Sequence, residues 1–227
     1  MNILIVNGTP HKSSGYYGAH ALVDAFQQPG DVVDEVTCPI DGLGLCNFEV
    51  CGAKCVTEGE DLCPHIEALR PILQKLDAAD LLVVTTPTYC YHVAASLKIL
   101  LEHLCWRWMR HRPCEDNFHR QAVVIATAAG AGADKPAQDV VDNLGWLGYS
   151  RIYTVKQSMG AMDWTLAKKS KQDALLGQCI KMGEKLKHGQ VPMSMSVRGK
   201  FRLMTMLQKK YPTGAADQAF WTEKGWL

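Results

Sequence analysis

Five short runs of branched apolar residues, each followed by a stretch of helical period, constrain this chain more than any other feature. The runs cover residues 3–6, 32–37, 80–86, 121–127 and 151–155. The first and third lack the apolar–polar alternation of a strand with one wet face, so they read as strands buried on both sides. Apolar positions recur at helix spacing through Ala19, Leu22, Val23 and Phe26, then over 66–76, 93–109, 137–147 and about 165–187. Strands and helices in alternation predict an α/β fold with a doubly wound, five-stranded parallel sheet. Right-handed crossovers make 2-1-3-4-5 the expected order. At 227 residues the chain has room for one such domain with additions. The expected division is a domain over 1–189, with a cysteine-rich insertion at about 39–63, and a helical or irregular tail over 190–227.

The first strand runs into Asn7-Gly8-Thr9-Pro10-His11-Lys12-Ser13-Ser14-Gly15-Tyr16-Tyr17, a polar loop at the start of a helix. A helix N-terminus presents unpaired N–H groups and the positive end of its dipole, which suits an anion. Thr9, Ser13 and Ser14 can add hydroxyls, and His11 and Lys12 charge. No Gly-Lys-Ser/Thr closes the loop, so it is not a Walker A motif, and Gly-x-Gly-x-x-Gly is absent. A terminal phosphomonoester such as that of FMN is the anion that fits. An ordinary strand–helix connection capped by Ser14 is the competing reading.

Ligands of open parallel sheets sit beyond the carboxyl ends of the strands. The third strand ends in Thr86-Pro87-Thr88-Tyr89-Cys90-Tyr91-His92, where two tyrosines offer flat surface with polar tips. The fourth ends in Thr127-Ala128-Ala129-Gly130-Ala131-Gly132, small residues that let backbone approach a flat ligand. A phosphate cradle, an aromatic wall and a small-residue wall together describe a flavin mononucleotide pocket. Cys90 reads as a small residue under the ring, and His92 and His11 either donate to the ligand or make one surface contact each.

Asn7-Gly8-Thr9-Pro10-His11-Lys12, Thr86-Pro87-Thr88-Tyr89, Leu97-Lys98 and His111-Arg112-Pro113 resemble the flavodoxin-like NAD(P)H-dependent FMN reductase family, whose relatives include iron–sulfur flavoproteins. The resemblance covers roughly residues 1–160. It implies a flavodoxin-like fold, bound FMN, NAD(P)H as cosubstrate, dimers or tetramers, and reduction of small acceptors. His11 stands where that family usually has Arg or Lys, Tyr16 where a helix-capping Thr is common, and Glu102-His103 where Asp-Arg is frequent.

Cys46, Cys51, Cys55 and Cys63 have the spacing C-x4-C-x3-C-x7-C. The related iron–sulfur flavoproteins use a compact C-x2-C-x2-C with a fourth cysteine nearby, and a cubane leaves its wrapping loop little slack. The looser spacing leads us to expect no metal, with buried structural cysteines in its place; an iron–sulfur cluster and a zinc thiolate site are the alternatives. Trp106, Trp108 and Met109 are expected at a subunit interface. The tail carries Arg198, Lys200, Phe201, Arg202, Met204 and Leu207, then Phe220, Trp221 and Trp226. It is expected to pack on protein, and to help a partner subunit close the flavin site.

A net charge of +1 gives no argument for nucleic acid or an acidic membrane surface as partner. No run approaches the roughly 20 apolar residues of a membrane span. Nine cysteines, an odd number without a secretory leader, point to reduced thiols and a cytoplasmic setting. The expected activity is FMN-dependent NAD(P)H oxidation coupled to a quinone, nitroaromatic or azo compound, in a homodimer or tetramer. No side chain is assigned as general acid or base, because the flavin carries the chemistry. The alternative is an electron carrier or iron–sulfur flavoprotein working between protein partners, although carriers of that kind tend to be acidic.

Overall fold

The computed structural model describes all 227 residues. In chain order its elements are β1 (Asn2–Asn7), α1 (Ser14–Phe26), β2 (Val32–Thr37), α2 (Phe48–Cys51), α3 (Lys54–Thr57), α4 (Ile66–Ala78), β3 (Leu81–Pro87), α5 (Ala95–His103), β4 (Gln121–Ala128), α6 (Asp134–Trp146), β5 (Arg151–Ser158), α7 (Lys169–Lys185), α8 (Met195–Lys210) and α9 (Ala215–Glu223). All strand pairs are parallel and the order is β2-β1-β3-β4-β5, as expected. The central strands are buried along nearly their whole length, and β2 and β5 are the exposed edges. Continuous branched runs occupy the centre because both faces there are covered.

One apolar layer lies under α4, α5 and α6 and includes Leu4, Leu82, Val124, Leu97 and Leu144. The other lies under α1 and α7 and includes Ile5, Val83, Ile125, Leu22 and Leu175. The second layer depends on glycine, because a Cβ on Gly183 would stand 2.4 Å from the Leu22 carbonyl oxygen. No helix is long and apolar enough to cross a membrane.

Three expectations need correction. The helix expected over 93–109 stops at His103, and the chain continues as a short 3-10 turn over Cys105–Arg107. Bulky side chains crowd the stretch, and leaving the helix lets Trp106 go to the main core while Met109 joins a separate cluster. The helix expected from about 165 begins at Lys169, after a 3-10 turn at Trp164–Leu166 capped by Asp163.

The third correction concerns the aromatics assigned to a subunit interface. Trp106 is buried within its own chain, with the Arg112 guanidinium 5.1 Å from its ring, and Trp108 lies 6.1 Å from Trp146 in a stacked pair. Trp221 is fully buried, stacked on Phe201 at 5.7 Å, and its Nε1 donates to the His111 carbonyl at 2.5 Å. Phe220 and Trp226 pack with it around Met109, Phe118, Val197 and Met204. The terminal aromatics therefore find burial without a second subunit. Val191 N–H donates to the His119 carbonyl, the Val191 carbonyl meets His119 Nδ1, and Ser194 N–H donates to Ser150 Oγ. His119 and Ser150 sit just before β4 and β5, so the tail joins the amino ends of the strands, away from the loops expected to hold flavin.

Candidate active site

The phosphate loop leaves β1 under tight constraint. Gly8 N–H donates to the Thr85 carbonyl at 3.0 Å, and Ser96 Oγ donates to the Gly8 carbonyl at 2.5 Å. A Cβ on Gly8 would stand 2.5 Å from that Thr85 oxygen, so only glycine permits this approach of loop to sheet. Thr9, Ser14 and Gly15 are buried, Ser13, Tyr16 and Tyr17 are half-buried, and His11 and Lys12 are exposed. Ser13, not Ser14, is the N-cap of α1; its side chain makes no capping bond, and the first turn contains no acidic residue. An uncapped first turn leaves N–H donors for an anion. Lys12 Nζ lies 5.3 Å from the Tyr16 ring, beside that turn.

The aromatic loop after β3 is tighter than its sequence announces. Tyr89 and His92 exchange backbone hydrogen bonds at 3.1 and 2.9 Å, closing a two-residue turn. Cys90 and Tyr91 occupy the turn with φ of 49° and 64°. Two positive φ values make it a type I′ hairpin turn, for which Asn-Gly is the usual signal. Tyr89, Cys90, Tyr91 and His92 all project as exposed residues, while Pro87 and Thr88 below them are half-buried. His92 Nδ1 and Val93 N–H both meet the Asp139 carboxylate at 3.1 Å, so His92 makes a surface contact with α6.

The small-residue loop is bound to both neighbours. Thr88 N–H and Oγ1 donate to the Thr127 carbonyl at 2.7 and 3.0 Å. A Cβ on Gly132 would stand 2.6 Å from Tyr91 Cδ1, so the Tyr91 ring rests on that glycine. Thr127 and Ala128 are buried, and Ala129 and Gly130 are exposed beyond them. The phosphate, aromatic and small-residue loops all stand at the carboxyl ends of β1, β3 and β4, adjacent strands of the sheet.

A fourth segment belongs with these three and had no signal in the sequence. Ser158 Oγ donates to the Gly130 carbonyl, and Met159 N–H donates to the Ala128 carbonyl at 2.8 Å. Further along, Trp164 stacks on Tyr17 with ring centroids 4.7 Å apart and planes 21° apart. The Asp163 carboxyl is held below its ordinary value, first by the Thr165 hydroxyl and N–H, with the His11 charge adding to them.

The cysteine insertion lies beside α4 and α5. Cys46, Cys51, Cys55 and Cys63 line one cavity of about 150 Å³ with His65 and His103. Cys105, outside the spaced set, lies beside Cys55 and is the first cause of its thiol being pulled down to about 7. Burial pushes the Cys46 thiol up to about 11, with the neighbouring thiols adding to it. No three His, Cys, Asp or Glu side chains converge closely enough to hold a single ion.

Comparison with known proteins gives the family and the fold. The family model of the NADPH-dependent FMN reductases matches residues 1–163, and the chain belongs to that family. FMN is accordingly its cofactor and NAD(P)H its electron donor, which makes it an oxidoreductase. No curated protein sequence matches it. An FMN-dependent NADH-azoreductase from Bacillus anthracis, solved with FMN, is similar at a TM-score of 0.63 and 13% identity, over 81% of this chain and 98% of that one. The azoreductase AzrA is similar at 0.62 and 15%, over 82% of this chain and 100% of that one. RosB with bound 8-demethyl-8-formylriboflavin-5'-phosphate is similar at 0.55 and 19%, over 99% of this chain and 86% of that one. At such identities the likeness is one of fold.

Proposed function

We propose that the protein is a cytoplasmic, homodimeric oxidoreductase that moves reducing equivalents from NAD(P)H to a small oxidised acceptor, a quinone, nitroaromatic or azo compound. One observation carries the reading: three loops of fitting chemistry stand side by side at the carboxyl ends of β1, β3 and β4. FMN, when bound, supplies the hydride chemistry. The chain supplies binding and orientation. The first-turn N–H groups of α1 with Thr9, Ser13 and Ser14 hold the phosphate, and Lys12 and His11 balance its charge. Tyr89 and Tyr91 give the ring an aromatic side, and residues 127–132 give it a close backbone. Exposed Met162 and Leu166 beside these loops provide apolar surface for a second copy to cover. Residues 1–189 carry this machinery, and 190–227 form an added unit at the other end of the sheet.

The test is direct. Purified protein should carry the absorbance of oxidised flavin and oxidise NAD(P)H when a benzoquinone, a nitroarene or an azo dye is added. Bound flavin without turnover on any of the three would leave a holding or carrier protein instead.

A second reading, an iron–sulfur flavoprotein, is favoured by the cysteine cavity. The four thiols line one cavity despite their loose spacing in the sequence, and a cluster would need its ligands around one such space. Iron and acid-labile sulfide in anaerobically prepared protein, lost in Cys51→Ser, would establish it. Their absence would leave the thiols as structural.

A further inference from the structure

The segment between β5 and α7 touches two of the three loops that surround the proposed FMN. At one end, Ser158 and Met159 bond to Gly130 and Ala128 of the small-residue loop. At the other, Trp164 lies flat against Tyr17, in the first turn of α1. We propose that Trp164 is a positioning residue for the phosphate end of the flavin site, acting through Tyr17. The proposal rests on the FMN reading given above.

The geometry explains why such a residue is useful. Ser13 does not cap α1 through its side chain, so the first turn lacks an internal restraint on its open N–H groups. Tyr17 is half-buried in that turn, and its ring needs a surface to rest on. Trp164 provides it from a platform that is itself fixed. Asp163 accepts from Thr165 N–H at 2.8 Å and from Thr165 Oγ1 at 2.6 Å. Gln172 Nε2 donates to the Trp164 carbonyl at 2.7 Å, which anchors the turn to α7. The indole also packs on the layer under α1 and α7. Met162 and Leu166, on either side, are exposed, so Trp164 is the inward-facing residue of this stretch. A flat contact of this kind fixes the turn's orientation without placing a negative group at the anion.

The distinguishing measurement is affinity for FMN against affinity for riboflavin, which lacks the phosphate. Wild-type protein, freed of flavin, should bind FMN more tightly than riboflavin. Trp164→Ala should weaken FMN by about two- to tenfold, the scale of one aromatic pair, and leave riboflavin affinity unchanged. Trp164→Phe should recover most of the loss. Tyr17→Leu should reproduce the FMN defect, and the double variant should be no worse than either single one. Equal weakening of FMN and riboflavin would show a merely structural role and overturn the proposal, as would additive effects or an unchanged FMN affinity. Should Trp164→Ala fail to fold, Tyr17→Leu carries the same comparison. A wild-type protein with no preference for FMN would instead overturn the FMN reading itself, and this proposal with it.

Discussion

Arg112 and Asp217 form an ion pair that is closed to solvent on both sides and joins three distant parts of the chain. The guanidinium also donates to the carbonyls of Cys55 and Val56 and to Glu60 at 3.2 Å. Asp217 accepts in addition from Thr213 Oγ1 and pairs with His111 Nδ1 at 2.8 Å. The cysteine insertion, the connection between α5 and β4, and α9 thus meet at one buried charge pair.

Removing one partner strands the other. Asp217→Ala should cost about 3 kcal/mol of stability, because Arg112 then loses its buried counter-charge and keeps only the partly exposed Glu60. Arg112→Met with Asp217→Leu should cost much less than Asp217→Ala alone. Urea unfolding of the three proteins checks both statements.

The same pair gives a signed pH dependence. Burial pushes the Asp217 carboxyl up, but hydrogen bonds from His111 and Thr213, and then the charges of His111 and Arg112, outweigh it and hold it below 3.8. A carboxyl depressed in the folded state adds stability above its unfolded value, about 3.9, and loses it as pH falls through the folded value. The stability gap between wild type and Asp217→Asn should therefore narrow as pH drops below about 4. A gap that widened in acid would contradict the assignment.

Trp221→Ala should cost about 3–5 kcal/mol through the cavity it opens among Phe201, Met109 and Phe118. Because that cluster lies at the amino ends of the strands, flavin affinity of the folded fraction should hold. Thermal melts and flavin titration separate the two effects.

Gly183→Ala should destabilise by about 1–3 kcal/mol, since the new methyl meets the Leu22 backbone and α7 must move off α1. Gly177→Ala, on the same helix with nothing within 4 Å, should be neutral or slightly stabilising.

Lys12→Ala with Ser14→Ala should weaken FMN by about 1.5–3 kcal/mol for the charged contact and less for the hydroxyl. Fluorescence titration checks it, and unchanged affinity would remove the phosphate assignment.

The sheet was legible because its strands carry runs such as Ile3 to Val6 and Leu81 to Val84, whose burial on both faces leaves little choice of placement. The three loops were legible for a related reason: parallel connectivity puts the ends of β1, β3 and β4 together whatever the loops contain. What escaped depends on contacts between distant residues. Nothing local tells Tyr17 that Trp164 will lie on it, or Cys55 that Cys105 will approach. The turn at Cys90 and Tyr91 escaped because its residues are not those that usually announce positive φ. Trp106 looked like an interface residue because its cover, Arg112, is a charged group that sequence patterning places outside.

That turn has a consequence for how the protein can be altered. Cys90 and Tyr91 hold a backbone shape that non-glycine residues adopt at a cost of about 1–3 kcal/mol each. A library screened only for heat tolerance would drift toward Asn-Gly at these two positions, which suits the bend and relieves the cost. The survivors would melt later and would have lost the tyrosine that rests on Gly132. Screens for a tougher reductase should hold position 91 constant, or they will select for a firmer scaffold with a barer mouth.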